Sequence, residues 1–325
     1  MRRRTFLGGA LSLGVAGGAG RAAAQGFPTR PLRLVVPYPA GGATDVLARA
    51  LAEGMGRRLG QQIVVENMPG ANTAVGAAAV ARAAGDGYTM LVGSGGSVVV
   101  NPLLYKNLAY DPDRDLRVLT VLAEVPLVLV VNPKVPSKTV QEFVAHTKQP
   151  GTNLNFASVG IGNPTHLAAE LFMFQTGARM THVPYRGSAP ALNDLVGGQV
   201  EAMFDPISSS LGQIKGGNLK VLGVGSTTRL PVLPDVPTIA ESGYPDYQAG
   251  VWFGLVVPKA TPQDIAGRLA AIANEVQAEP AYRARLEAAN YVIPAPRDAA
   301  GVAAFMAEDR KRWQGIIEAQ NIRLD

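Results

Sequence analysis

The chain contains no cysteine, and that absence removes disulfides, thiolate nucleophiles and thiolate metal ligands together. Only three histidines are present, His146, His166 and His182, and their spacing matches no metal site. The Gly-x-Ser-x-Gly nucleophile elbow is missing: around Ser158 the chain reads Phe156-Ala157-Ser158-Val159-Gly160. A serine hydrolase using Ser158 or Ser94 is therefore the weaker alternative. No Walker phosphate loop occurs either, because Gly41-Gly42 is not followed by the lysine it needs. No catalytic residue, metal or cofactor is expected. Excess positive charge is also scarce outside the N-terminal leader. The formal net charge is +5, and Arg2, Arg3, Arg4 and Arg21 supply four of it in an acid-free leader, so subtracting them leaves +1. Nucleic-acid binding loses its electrostatic support.

What is present begins with that leader. Arg3-Arg4-Thr5-Phe6-Leu7, a weakly apolar Gly/Ala run to Ala19 and Ala22-Ala23-Ala24 before Gln25 have the three regions of a cleaved signal peptide. The paired arginines resemble the twin-arginine export signal. As a membrane span the run is short and poor in Leu and Ile, against the roughly 20 residues a span requires. Residues 1–24 are read as the signal, and the mature protein as a soluble periplasmic monomer starting near Gln25.

At 325 residues and 47% apolar content the chain can bury two moderate cores. The first apolar run, 32–36, reads as a buried strand. It ends in Pro37-Tyr38-Pro39-Ala40-Gly41-Gly42-Ala43-Thr44-Asp45, which opens a helix over 46–59. Two adjacent glycines let backbone N–H groups approach a guest, while Thr44 or Asp45 can cap the helix. Such a turn can hold an anion. Strand 63–65, helix 75–84 and strand 88–92 continue the alternation and imply a parallel sheet. Ser94-Gly95-Gly96-Ser97 forms a second glycine turn on the edge where open α/β sheets place ligands. Residues 101–112 read as irregular, and the apolar run 118–131 as two strands or one bent strand passing between lobes. Ser137 is expected to cap a helix over 139–148. Strand 154–157 and the loop 158–166 then repeat the opening pattern before a helix over 167–175. Two such turns are expected to face each other across a cleft. Strands at 202–205, 220–225 and 251–257 and a wholly helical tail complete the chain, with lobe crossings near 125–132 and 247–252.

Six motifs occur in order. They are Pro37-Tyr38-x-x-Gly41-Gly42-x-Thr44-Asp45, Val65-Glu66-Asn67-x-Pro69-Gly70-Ala71, Asp86-Gly87-Tyr88-Thr89, His182-Val183-Pro184-Tyr185-Arg186-Gly187, Pro234-Asp235-Val236-Pro237-Thr238 and Trp252-Phe253-Gly254-Leu255. With them the mature chain resembles the Bug-family extracytoplasmic solute receptors, the substrate-binding components of tripartite tricarboxylate transporters. The resemblance implies an α/β, two-lobed type II periplasmic-binding-protein fold, with lobe 1 from 25–127 and 251–325 and lobe 2 from 128–250. It implies a cleft closing on a small organic carboxylate, held largely through main-chain N–H groups and ordered waters, and delivery to the membrane subunits of a transporter. Presentation of the ligand to a membrane sensor is the alternative.

Carried onto this sequence, the two carboxylate loops fall on 37–45 and 158–166. Candidate ligand contacts are Tyr38, Gly41, Gly42, Ala43, Thr44 and Asp45 from the first, with Ser94 beside it. From the second come Ser158, Gly160, Gly162, Asn163, Thr165 and His166, and Phe204 and Asp205 lie at a strand end. Where relatives usually have a small hydroxyl residue after the central glycine, this chain has Asn163-Pro164, which removes a backbone donor but leaves the Asn163 amide to donate. Arg186 is the obvious carboxylate partner by chemistry, yet a turn arginine belongs at the surface and is placed outside the contact shell.

Overall fold

The apolar run that begins at Leu116 folds as one strand. In the computed structural model, which describes residues 26–324, β4 (Leu116–Val131) pairs along its first half with β9 (Gly250–Pro258) and along its second half with β7 (Ala202–Pro206) and β8 (Lys220–Val224). The handover falls between Pro126, opposite Gly250, and Leu127, opposite Pro206. Proline has no N–H to continue a ladder. Register shifts between Val118 and Thr120 and between Val121 and Ala123 twist the strand on its way from one lobe to the other. The signal-peptide reading of residues 1–24 lies outside the described residues.

Around this strand the order is β2-β1-β3-β9-β4-β7-β5-β6, from β1 (Leu32–Val36), β2 (Ile63–Asn67), β3 (Thr89–Ser94), β5 (Asn155–Ser158) and β6 (Thr181–Pro184). The whole sheet is mixed, while its first three strands pair parallel as their alternation with helices predicts. β1 runs parallel to β2 and β3, and β5 to β6 and β7, but β4 and β9 are antiparallel to their neighbours. The parallel pairs place the C-terminal ends of β1, β2 and β3 on one edge of the first lobe, and those of β5, β6 and β7 on one edge of the second.

Both faces are covered, which is why these strands read as unbroken apolar runs. Successive side chains point to opposite faces. Leu127, Leu129 and Val131 accordingly enter one second-lobe cluster, and Val128 and Val130 the other. Each such burial contributes about 1.5–3 kcal/mol before the entropy of ordering is subtracted. In the first lobe α1 (Ala43–Leu59), α9 (Gln263–Ala278) and α10 (Pro280–Ala288) cover one face; α2 (Ala74–Ala81) and α11 (Ala299–Ala319) cover the other. The second lobe carries α5 (Val140–Thr147), α6 (Pro164–Thr176), α7 (Ser188–Gly197) and α8 (Ile207–Lys215).

Two local expectations are corrected. Thr139, not Ser137, caps α5, its hydroxyl accepting from Glu142 N–H, while Ser137 is buried. After β3 the expected glycine turn is a π-helical turn, Gly96–Val100, that runs directly into α3 (Asn101–Leu104), in a stretch read as irregular.

The lobes share side chains at their seam. Leu167 of α6 packs in the first lobe's cluster, and Ile316 of α11 in the second lobe's. Beside them Asp309, 3% exposed, accepts from both tryptophans, Trp252 Nε1 at 2.8 Å and Trp313 Nε1 at 2.9 Å. Burial pushes its carboxyl above the usual range, opposed by the Trp252 hydrogen bond and the Arg312 charge.

Candidate functional site

The first loop leaves β1 at Val36, and Gly42 rather than Thr44 or Asp45 is the N-cap of α1. Gly41 takes φ +80°, the left-handed region open to glycine, whereas Gly42 is extended at φ −77°. Asp45 acts from inside the first turn. Its carboxylate accepts from Gly41 N–H at 3.0 Å, Arg49 Nε at 2.8 Å and Asn67 Nδ2 at 3.1 Å. The Arg49 hydrogen bond, with Gly41 and Asn67 behind it, holds this carboxyl down to about 2 against the effect of burial. Asn67 Nδ2 also donates to Tyr38 O at 3.0 Å. Asp45 is therefore an ionised strut whose oxygens are taken up inside the loop. Among the described residues the Gly42 and Thr44 amides have no acceptor. Thr44 is buried at 5% exposure, and the Ala43 side chain lies outside what is described. Tyr38 donates its OH to Ser94 Oγ at 3.0 Å, which brings these two candidates together across the ends of β1 and β3.

In the second loop most donors serve the loop itself. Val159 N–H donates to Thr165 Oγ1 (3.0 Å), Gly160 N–H to Ser158 Oγ (3.1 Å) and Gly162 N–H to His166 Nδ1 (3.2 Å). Asn163 caps α6 through its Oδ1, which accepts from Thr165 N–H at 3.2 Å, and Pro164 takes the first helical position, where an N–H goes unpaired in any helix. The Asn163-Pro164 departure thus builds a helix start, and the amide expected to donate to a guest has its oxygen committed. His166 is 5% exposed; its Nδ1 is held by Gly162 and its Nε2 lies 3.4 Å from Glu170 Oε1. It shapes the loop.

Sequence reading left out His182 as a site residue. On β6 it lies in register with Phe156 and stacks on that ring at 4.9 Å, with His166 4.1 Å away and Ser158 Oγ 2.5 Å from its Nε2. Burial first, and then the neighbouring His166, lower its imidazole to about 4. A serine–histidine pair is thus present, with Ser158 at 0% exposure.

Phe204 and Asp205 part company, as alternate residues of a strand must. Phe204 is a core aromatic packed against Phe172 (5.4 Å) and Tyr247 (6.0 Å). Asp205 is fully buried on the other side, accepting from Ser188 Oγ at 2.8 Å and Ser209 Oγ at 2.5 Å. Burial raises it to about 6, with the serine hydroxyls pulling the other way. Arg186 is exposed.

Across the seam the second loop meets the turn after β3. A β-carbon on Gly162 would lie 2.3 Å from Leu104 Cδ1, and Pro164 and Leu167 face Gly95 and Gly96 with a gap of about 10 Å³. That is room for about one water. Two larger hollows, of about 700 Å³ beside α1 and β2 and about 800 Å³ between α9 and α11, contain none of the candidate residues. Among the described residues no group of His, Asp and Glu is arranged to hold a metal, and no helix is long and apolar enough to cross a membrane.

Comparison with known proteins gives this geometry a class. The model of the tripartite tricarboxylate transporter family receptor matches residues 47–322. Protein BugT of Bordetella pertussis is 37% identical over 317 residues, spanning 97% of this chain and 96% of its own. Among solved structures, the periplasmic binding protein BugD has a TM-score of 0.77 at 33% identity, covering 91% of this chain and 99% of its own. Rhodopseudomonas palustris Rpa4515, solved with adipate, has a TM-score of 0.80 at 32% identity, covering 91% and 99%. MatC of the same organism, with bound malate, has 0.77 at 35%, covering 90% and 100%. The fold is that of a two-lobed periplasmic binding protein. The chain belongs to the tripartite tricarboxylate transporter receptors, the Bug family, which are solute-binding receptors rather than enzymes.

Proposed function

We propose that this chain, exported with removal of residues 1–24, captures a small organic carboxylate between lobe 1 (25–127 and 251–325) and lobe 2 (128–250). It then delivers the acid to the membrane subunits of a tripartite transporter. The observation that carries the reading is the first loop: an α1 start whose Gly42 and Thr44 amides have no acceptor among the described residues, beside the Tyr38–Ser94 pair, on the strand-end edge of a receptor fold. Unpaired amides at a helix start attract an anion without a fixed countercharge. Relatives of the same fold hold dicarboxylates, adipate in Rpa4515 and malate in MatC. The second loop, with its donors already engaged, closes over the guest and contacts it through Asn163 Nδ2 or through water.

A thermal-shift screen of mono-, di- and tricarboxylates on the mature chain tests this. An acid at about a hundred times its dissociation constant stabilises the fold by roughly 2.7 kcal/mol, seen as a raised melting temperature. No shift with any acid contradicts the reading.

A further inference from the structure

The segment leaving β2 is left-handed at four successive residues, Gly70, Ala71, Asn72 and Thr73, with φ of 133°, 44°, 49° and 75°. Thr73 is the costly member, because a β-branched side chain there crowds its own backbone. Asn101, fully buried, holds the run: its Nδ2 donates to Asn72 O at 2.8 Å, and Asn72 Nδ2 donates back to Asn101 Oδ1 at 3.3 Å. Strain so firmly fixed clusters at ligand clamps.

The hydroxyl that this strain positions is idle. Thr73 is 5% exposed at the N-cap of α2, and its Oγ1 has no hydrogen-bond partner among the described residues. It makes no cap hydrogen bond to the helix start, where Ala74 N–H donates to Ala71 O and Val75 N–H to Gly70 O. Ser94, 1% exposed, accepts from Tyr38 OH at 3.0 Å and Ser97 N–H at 3.4 Å, but its own proton has no acceptor among the described residues. Both hydroxyls lie beside Gly96. A β-carbon on Gly96 would lie 3.3 Å from Ser94 Oγ and 3.9 Å from Thr73 Oγ1, with no other atom within 4 Å beyond its chain neighbours and its own helix backbone. α2 also presses on the first loop, since a β-carbon on Gly76 would meet Pro37 Cβ at 2.9 Å.

We infer that Thr73 and Ser94 form a subsite for one uncharged oxygen of the ligand, a hydroxyl or keto group near its carboxylate. The inference rests on the carboxylate-binding reading above and narrows it to hydroxy or oxo acids. Two hydroxyls can both donate to a keto oxygen, or one can donate to and one accept from a hydroxyl. Among the described residues no cation contacts the pair, so a charged carboxylate oxygen here would rest on two neutral hydroxyl donors alone, whereas one uncharged oxygen is satisfied by them. An acid lacking the substituent leaves the Thr73 hydroxyl and the Ser94 proton buried without a partner.

Matched acids test it: malate against succinate, citrate against tricarballylate, and lactate against propionate, titrated into the mature chain and into its Thr73→Val and Thr73→Gly variants. The wild type should prefer the hydroxylated member by about tenfold or more, and both variants should lose that preference. In the ligand-free protein Thr73→Val should keep or raise the melting temperature, and Thr73→Gly, which also relieves the φ of 75°, should raise it. Equal binding of both members by the wild type, an undiminished preference in the variants, or a melting temperature lowered by Thr73→Val overturns the subsite and leaves carboxylate binding standing. Failure of all six acids to bind overturns both.

Discussion

His182 Nε2 lies 2.5 Å from Ser158 Oγ, joining β6 to the end of β5 at the root of the second loop. Ser158 Oγ in turn accepts from Gly160 N–H at 3.1 Å, so the imidazole sets the loop's shape through one hydroxyl. Burial and the adjacent His166 lower His182 to about 4, so it is neutral at neutral pH and its Nε2 is free to accept the serine proton.

A histidine whose folded pKa is depressed gives stability that is complete above its unfolded value and lost as pH falls. The window here runs from about 6.5 down to about 4. Wild type should lose up to roughly 3 kcal/mol more across that window than His182→Gln, in which position 182 does not titrate. Denaturant unfolding at several pH values checks this. Parallel stability curves would contradict it.

Asp205 has the opposite sign. Its folded value is raised from 3.8 to about 6, so its contribution is full below 3.8 and declines as pH rises through about 6. Asp205→Asn should match the wild type near pH 3.5 and exceed it at pH 7 by up to about 3 kcal/mol. A variant less stable at pH 7 would mean that the carboxylate has partners beyond Ser188 and Ser209.

Gly42 offers a clean test of main-chain binding. At φ −77° a side chain there is unstrained, and its β-carbon would meet only Pro39 O, at 3.6 Å. Gly42→Val should therefore stay within about 1 kcal/mol of wild-type stability while its methyl groups cover the free amides. Affinity should fall roughly tenfold to more than a hundredfold, the worth of one hydrogen bond to a charged group. Exposed Arg186, changed to Gln, should cost only about 0–1 kcal/mol of binding. The reverse ranking would assign recognition to the arginine.

Much of this was legible because periodicity and glycine carry direct physical meaning. The strand–turn–helix units at 32–59 and 155–176 could be read from apolar runs ending in glycines, and Gly41 and Gly162 do take positive φ. What escaped depended on long-range packing. Nothing local says that Phe204 points into the core and Asp205 away from it until the partners of β7 are known. The Ser158–His182 bond needs β5 and β6 in register, 24 residues apart. The left-handed Thr73 breaks its own local preference, so no propensity could have placed it.

Titration calorimetry of the mature chain with the acid that most raises its melting temperature tests the central claim most directly. Reversible capture predicts heat pulses that return to baseline and saturate at about one equivalent, with a negative heat-capacity change as the lobes close on the guest. Sustained heat flow after each injection would reveal turnover, and no heat with any carboxylate would remove the ligand class; either result contradicts the account.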